Sequence, residues 1–482
     1  MAVFKFNFAG RRHAGALASA SVAALILAGC ASLPASQPAR VAKNPALYSS
    51  EAAFAAPAGA FPVDEWWRGY GDAQLDELIA EALRGSPTLA QAEARVRKAQ
   101  AVRAGVAADG LPNLSANGQI QELKQSYNDG FPASFVPHGY QDYGLGTLNF
   151  KWEIDFWGRN RAAVAAASSR AQAAAADAAE ARLMLTTNLA AGYATLAQLY
   201  AERDLAQRAI EVREETARLT QQRLTNGLDT QAELKQAQAG PHAGQASLAE
   251  IDEEIIQTRY GLAAMMGEGP DRGLAISRPG DATLRPFGLP ADLKINLLGR
   301  RPDVVAARWR AEAASRDIAA AKAAFYPNIN IAAYIGSQAL HLDNLVAAGS
   351  GIGAVGPALS LPIFDGGRLR ANLRGAQADR DGAVADYDSA VTEALREVAD
   401  AAASAKSLQT RLAESRAALA DNEAAYKIAT LRYQGGLSTF QSVLLAEDAL
   451  LTQRRVVSDL ESRGFALDIA LVRALGGGFH GA

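Results

Sequence analysis

The 482-residue chain has few of the side chains that build metal, redox or catalytic sites. It contains one Cys and four Met, and its five His residues are scattered along the sequence. A single thiol forms no internal disulfide and no Cys-based metal site. The motifs of zinc proteases, P-loop proteins and serine hydrolases are absent from the sequence. The sequence therefore predicts neither an enzyme nor a bound cofactor.

Long apolar runs are also missing. After the N-terminal segment no run of 18 or more apolar residues occurs, which predicts no transmembrane helix. Only helices and closed barrels satisfy every backbone polar group in lipid, so a mature chain that crosses a membrane must do so as a β-barrel. The net charge of −3 gives no indication of nucleic-acid binding.

The N-terminus is typical of a secretion signal. Three basic residues precede about 14 apolar residues, too few to span a bilayer comfortably. The apolar segment ends at Leu27-Ala28-Gly29-Cys30, which resembles the bacterial lipobox, although a chance Cys after an ordinary signal is the alternative. We expect residues 1–29 to be removed and Cys30 to carry lipid, including palmitate. Ala31 permits transfer to the outer membrane.

Two segments are predicted to lack regular structure. Residues 30–63 are rich in Pro, Ala and Ser, and we expect them to form a tether between the lipid and the fold. Residues 476–482 are expected to be a flexible tail.

A very long helix is predicted from Arg161 to Thr225. This stretch has no Pro and one Gly, and Ala dominates its first third. A helix of that length would extend about 100 Å. It stops at Asn226-Gly227, where a left-handed residue can end a helix. A second helix then returns to Met266, with a kink or break expected at Pro241.

The residues before this helix change to a period of two. From Gly146 to Asp155, apolar residues that include Phe150 and Trp152 alternate with polar ones. Residues 113–127 are a poorer strand candidate, and together the two strands predict a β-hairpin at about 113–156. A half-buried hairpin in a soluble sheet is one interpretation. The aromatic residues and the lipoprotein signal favour a membrane hairpin.

The second half of the chain repeats the first. Ser86-Pro87 corresponds to Arg301-Pro302, and Pro112 corresponds to Pro327, each 215 residues later. After the hairpin the offset is 209, as from Gly227 to Gly436. The predicted first repeat covers 64–289, with its long helical hairpin at about 161–266. The second covers 290–475, with a β-hairpin at about 328–363 and a helical hairpin at about 368–475.

Four strands per chain are too few for a membrane barrel. An open edge would leave backbone groups unpaired in lipid, and bacterial barrels begin at about eight strands. Two chains would supply eight strands and three would supply twelve. Closure therefore requires an oligomer, and the long helices would continue its lumen as a helical tube.

Four segments together with the duplication and the lipobox resemble one family, the TolC-like outer membrane factors, in their lipoprotein (NodT-type) branch. The segments are Trp66–Asp72, Gly299–Ala307, Lys322–Pro327 and Gly356–Arg368. The resemblance covers nearly all of the mature chain. It implies a mainly α-helical homotrimer with a twelve-stranded barrel in outer-membrane lipid, continued by an α-helical periplasmic tunnel.

The same resemblance implies a passive outer-membrane channel that exports small toxic compounds or drugs. An inner-membrane pump and a periplasmic adaptor, a membrane fusion protein, would complete the path. The adaptor would engage the turns at the ends of the two helical hairpins. The matching residues are Arg223, Gly227 and Leu228 in the first turn and Arg432, Gly436 and Leu437 in the second.

One departure from the family pattern concerns the constriction of the channel. Members often carry a ring of Asp after the second turn, but residues 438–446 contain no acid. Asp229 and Glu233 lie four apart after the first turn, on one helix face. We expect a weaker charged constriction, or one shifted to these acids, with Leu444 or Leu445 as an apolar gate.

Two other functions fit the same features. A component of outer-membrane protein secretion would share the architecture and differ in its partner. A lipid-anchored periplasmic scaffold would keep its hairpins out of the bilayer. The sequence selects neither the cargo nor the class of pump.

Overall fold

The computed structural model describes residues 38–128, 130, 132–280, 282–284, 287–290 and 293–481. The predicted signal segment and Cys30 lie outside the described residues. The chain forms two compact units, and each combines segments from both repeats. One unit includes residues 97–172 and 308–385, and the other includes 42–96, 173–307 and 386 onward.

The described residues contain nine α-helices, apart from short 3-10 turns. They are α1 (Ala73–Gly85), α2 (Pro87–Ala108), α3 (Arg159–Thr225), α4 (Gln231–Met266), α5 (Pro270–Leu274), α6 (Leu293–Arg300), α7 (Pro302–Ala323), α8 (Arg368–Gln434) and α9 (Phe440–Ala474). None of them combines the length and the apolarity that a membrane-spanning helix requires.

The same described residues contain six strands. They are β1 (Ala58–Gly59), β2 (Asn113–Leu123), β3 (Gln141–Ile154), β4 (Leu289–Pro290), β5 (Asn328–Leu340) and β6 (Gly351–Ser360). The order of the main sheet is β2-β3-β5-β6, with every neighbouring pair antiparallel, whereas β1 and β4 form a separate parallel pair. Both predicted hairpins are therefore present, and they join into one four-stranded sheet.

The lengths of the elements reflect the duplication. Helices α2 and α7 both contain 22 residues, and α3 and α8 both contain 67. Each long helix is therefore about 100 Å long. The returning helices α4 and α9 contain 36 and 35 residues. Pro241 lies inside α4 without ending it, so the helix is not broken there, and the kink that we gave as the alternative stays a prediction.

The main core lies around α1 and the Trp-rich turn before it. The Asp72 side chain caps α1 by accepting hydrogen bonds from the backbone of Gln74 and Leu75. Apolar residues at helical spacing then face inward, and burying each stabilises the fold by about 1.5–3 kcal/mol. Among the most buried side chains are Trp66, Tyr70, Leu75, Leu78, Ile79, Leu189, Tyr193, Leu196, Leu262 and Met266.

The two segments predicted to lack structure are held by contacts. The backbone N–H of Lys43 donates to Asp388 at 3.0 Å, and Phe61 packs against an apolar cluster that includes Leu297. At the other end, the N–H of Gly481 donates to the carbonyl of Gly299 at 2.7 Å. The described parts of the predicted tether and of the predicted tail are therefore ordered against the fold.

Candidate functional site

The four-stranded sheet separates apolar from polar side chains. Residues directly opposite each other in neighbouring strands share a face, and the pairs Leu114–Phe150, Leu148–Ile335 and Ala333–Val355 define an apolar face. The same face also carries Ala116, Ile120, Trp152, Ile154, Ile329, Ile331, Pro357 and Leu359. The opposite face is mostly polar, with Ser115, Asn117, Gln119, Gln121, Thr147, Asn149, Lys151, Glu153, Asn330 and Gln338.

The apolar face is uncovered in the single chain. Ile335 is 68% exposed and Val355 is 80% exposed. Within the described residues, β2 and β6 each pair on one side only, so the sheet has two open edges. A large exposed apolar surface marks a site of contact with lipid or with another protein.

The two turns at the ends of the helical hairpins have the same backbone. In the first turn Gly227 has a φ of 72°, and the N–H of Leu228 donates to the carbonyl of Arg223 at 2.8 Å. In the second turn Gly436 has a φ of 73°, and Leu437 donates to Arg432 at the same distance. These bonds form a Schellman motif, which closes a helix with a left-handed glycine.

Each turn also presents a leucine to solvent. Leu228 is 63% exposed and Leu437 is 72% exposed. Exposed apolar side chains at corresponding positions of both turns are suited to contact a partner. The structure thus brings four of the predicted turn residues, Gly227, Leu228, Gly436 and Leu437, into equivalent positions.

The arginines of the two turns differ. Arg223 has 12% of its side chain exposed, and its Nε lies 3.1 Å from both carboxylate oxygens of Asp229. Its Nη1 donates to the carbonyl of Tyr433 at 2.7 Å, and its guanidinium lies 4.2 Å from the centre of the Tyr433 ring. Arg432 is exposed, and its Nη2 donates a weak hydrogen bond of 3.5 Å to the carbonyl of Leu437.

Tyr433 completes a buried group that we call the tip cluster, which consists of Arg223, Asp229 and Tyr433. The Tyr433 hydroxyl donates to the Asp229 carboxylate, and 4% of the Asp229 side chain is exposed. Burial and this carboxylate raise the pKa of Tyr433 to about 12, so the hydroxyl keeps its proton at neutral pH. The cluster joins the first helical hairpin to the end of α8.

The other predicted gate residues occupy different environments. Glu233 forms a capping box with Thr230, since its carboxylate accepts from the Thr230 N–H at 2.7 Å. Leu444 packs against the apolar cluster around Tyr433 and Phe440. Leu445 is 63% exposed. The structure thus brings Asp229 and Leu444 to the tip cluster and leaves Leu445 on the surface.

Sequence reasoning missed Tyr433. Its counterpart 209 residues earlier is Leu224, and this departure from the repeat was the available signal.

Cys30, the predicted lipidation site, lies outside the described residues. No group of three or more metal-ligating side chains occurs in the part of the chain that the structure describes.

Both repeats of the chain resemble known proteins. A family model for outer membrane efflux proteins matches residues 78–268 and 295–477, one segment in each repeat. The fusaric acid resistance protein FusA of Burkholderia cepacia is 40% identical over 372 residues, which cover 76% of this chain and 70% of the relative. The multidrug resistance outer membrane protein MdtP of Shigella flexneri is 33% identical over 434 residues, 88% of each chain.

A solved structure has the same fold. The outer membrane protein VceC from Vibrio cholerae is 44% identical and matches with a TM-score of 0.82, covering 87% of this chain and 100% of VceC. The resemblance inferred from the sequence is thus confirmed, as are the fold class and the location in the outer membrane, with an extension into the periplasm. The chain belongs to the outer membrane efflux protein family and is an outer-membrane channel for efflux.

Proposed function

We propose that three copies of this chain close a twelve-stranded barrel and together form the outer-membrane duct of a tripartite efflux system. The supporting observation is the sheet, which has an apolar face, a polar face and two open edges. Four strands cannot close a barrel, and joining β2 of one copy to β6 of the next would remove every open edge. The apolar face would then contact lipid, and the polar face would line water.

The cargo that we propose is a class of small toxic organic compounds. The names of the relatives support this, because FusA confers fusaric acid resistance and MdtP confers multidrug resistance. The channel carries no energy-converting site in this proposal, so an inner-membrane pump drives export and a periplasmic adaptor connects the pump to the channel.

The adaptor would contact the exposed leucines of the two turns. Replacing Leu228 and Leu437 with Ser removes the apolar contact and leaves the glycine turns in place. We expect the double variant to lose drug resistance and co-purification with a cross-linked adaptor, while its conductance in planar bilayers stays unchanged. Loss of conductance as well would instead assign these leucines to the channel itself.

For the gate, we propose that Asp229 acts by holding the hairpins together in the tip cluster, and that Leu445 lines the passage. Glu233 acts through its cap on α4, and Leu444 supports the cluster by packing. Single-channel currents provide the test. Leu445→Ala should raise the current and Glu233→Gln should alter closure. Currents equal to those of the unmodified protein in both variants would overturn this assignment.

The lipid anchor is part of the proposal too. Cys30 would carry the lipid, and the Cys30→Ala protein should lose incorporation of labelled palmitate. Labelled palmitate on the Cys30→Ala protein would exclude this residue as the site.

The molecular mass and the conductance of the purified protein test the main proposal. We expect a trimer in unheated gels that conducts ions in planar bilayers. A monomer that does not conduct would support the periplasmic scaffold. A trimeric channel whose deletion blocks secretion of a protein, without drug sensitivity, would support the secretion component.

A further inference from the structure

A second buried acid joins the two helical hairpins at a distance from the tip cluster. Glu447 lies on α9, and 3% of its side chain is exposed. The Thr216 hydroxyl lies 3.1 Å from one of its carboxylate oxygens, and the Nε of Arg213 lies 3.5 Å from the other. Both partners lie on α3. Glu447 of the second helical hairpin is thus held by Arg213 and Thr216 of the first.

Arg213 reaches this acid across the surface of α4. A Cβ added at Gly240 would lie 3.4 Å from Cδ of Arg213, and one added at Gly244 would lie 2.7 Å from Cγ1 of Ile210. The two glycines are four residues apart and therefore share a helix face. Their lack of side chains lets Ile210 and Arg213 of α3 pack directly against the surface of α4.

The two charges differ in their access to water. Arg213 has 27% of its side chain exposed and borders a cleft of about 380 Å³ that also contacts Asp448 and Arg454. The Glu447 carboxylate is almost fully enclosed. A carboxylate in such a place requires hydrogen bonds and a positive partner, because burial of an unpaired charge is costly.

The hydrogen bonds allow Glu447 to be held in either protonation state. The Thr216 hydroxyl lies within hydrogen-bond distance of both Glu447 and the carbonyl of Val212, and its single proton serves one acceptor at a time. It donates to an ionised Glu447. When Glu447 is protonated, the acid donates to the hydroxyl, which then donates to Val212.

This arrangement is not a product of the duplication. The counterpart of Glu447, 209 residues earlier, is Gln238. The counterparts of Arg213 and Thr216, 209 residues later, are Asn422 and Ala425. The duplicated contact would thus contain no charge at all.

We propose that Arg213, Thr216 and Glu447 form a second clasp between the two helical hairpins, separate from the tip cluster, whose strength depends on the protonation of Glu447. We call this group the buried clasp. It rests on the proposed function, in which contacts between the hairpins act at the gate, so that opening the channel separates the hairpins.

The direction of the pH effect follows from the groups that face Glu447. Burial raises its pKa and the nearby Asp448 adds to this, whereas Thr216 and Arg213 lower it, and the net shift is upward. Tyr426 of α8 also lies near Glu447, whose charge contributes to raising the pKa of the Tyr426 hydroxyl. If separation of the hairpins exposes Glu447, its pKa falls to the ordinary value. Ionisation then favours separation, so lower pH favours the joined hairpins.

Planar-bilayer recordings test the buried clasp in a Tyr433→Phe background, in which the tip cluster is weakened. We expect open-state occupancy to be about threefold or more higher at pH 8 than at pH 5.5, since each unit of pKa change is worth up to about tenfold. Glu447→Gln should abolish this dependence and hold the channel closed at both values.

Removing a partner should have the opposite effect. Arg213→Gln and Thr216→Val each leave an ionised Glu447 with less support, so occupancy at pH 8 should rise. Adding Glu447→Gln to Arg213→Gln should reverse the increase. The matched control is Glu414→Gln, because Glu414 is an exposed acid on α8 and the substitution removes the same charge.

Two results separate the buried clasp from the proposed function. If the Tyr433→Phe protein conducts and Glu447→Gln keeps its full pH dependence, the clasp is wrong and the channel stands. If neither the variants nor the unmodified protein conducts, the proposed channel function is wrong, and the buried clasp is wrong with it.

Discussion

At the first tip turn, a buried arginine, an aspartate and the tyrosine of the other hairpin bond to one another. At the second, 209 residues later, the corresponding arginine lies in solvent, and Ser438 stands where the first turn has Asp229. The backbones nevertheless agree, with φ values of 72° and 73° at the two glycines. Duplication preserved the turn, and the side chains of the two copies then diverged.

This difference suggests that residues present in both turns and residues present in only one turn have separate roles. The glycines and exposed leucines are common to both turns, as the adaptor contact that we propose for both hairpins requires. The tip cluster exists once in each chain and joins its two hairpins. Variants at equivalent positions of the two turns therefore test which of their residues act alike.

The largest effect is expected from Asp229→Ala. The change leaves the Arg223 charge buried without its carboxylate, and loss of one partner from a buried ion pair costs about 3–5 kcal/mol. Native-state amide hydrogen exchange measures this as a lower free energy of local opening at the tips. The matched control is Ser438→Ala at the corresponding position of the second turn, where the hydroxyl oxygen is buried without a hydrogen-bond partner. A similar loss in both variants would show that the turns do not differ.

Tyr433→Phe should have the next largest effect. It removes one hydrogen bond to a charged group and keeps the packed ring, which corresponds to about 1.5–3 kcal/mol in the same exchange measurement. Tyr260→Phe is the control, since that tyrosine is 38% exposed on α4. Equal protection in the Tyr433→Phe and unmodified proteins would mean that the hydroxyl does not hold the hairpins together.

Gly227→Ala and Gly436→Ala test the shared part of the comparison. Each forces a side chain into a left-handed conformation, at a cost of roughly 1–2 kcal/mol, and the two costs should agree. Gly261→Ala, inside α4 with open space around it, should stabilise by about 0.5–1 kcal/mol. Unequal costs at the two turns, from hydrogen exchange, would show that their backbones are not equivalent.

The smallest effect concerns the starts of the returning helices. Thr230→Ala removes a capping box and should cost about 1 kcal/mol. Thr439 has no side-chain bond to the helix backbone, and its hydroxyl contacts Ser442 at 3.2 Å, so Thr439→Ala should cost less. Exchange rates of the first amides of α4 and α9 report both values, and a larger loss at Thr439 would reverse the comparison.

Local sequence patterns predicted most of the fold. The Pro and Gly markers placed the start of the first long helix at Arg161, two residues after its observed start at Arg159. The period of two predicted β3, and the repeat predicted the second hairpin. These features depend on neighbouring residues, which is why they can be read from one sequence.

Contacts between distant helices could not be predicted in this way. Tyr433 bonds to Asp229, and Glu447 is held by Thr216, yet each pair is separated by more than 200 residues. Both acids were visible in the sequence, but nothing in the helical pattern indicates which charge is buried or by what it is paired. Order in residues 38–63 was missed for the same reason, because its stabilising partners, such as Asp388, lie far along the chain.

Conductance in planar bilayers shows whether the tip cluster holds the channel closed, with the unmodified protein, Asp229→Ala and Ser438→Ala compared as purified trimers. We predict that the unmodified and Ser438→Ala channels open equally rarely, and that Asp229→Ala opens at least about tenfold more often, since 1.4 kcal/mol already corresponds to a factor of ten. Equal opening of the Asp229→Ala and Ser438→Ala channels, or the absence of conductance in all three proteins, would contradict the account.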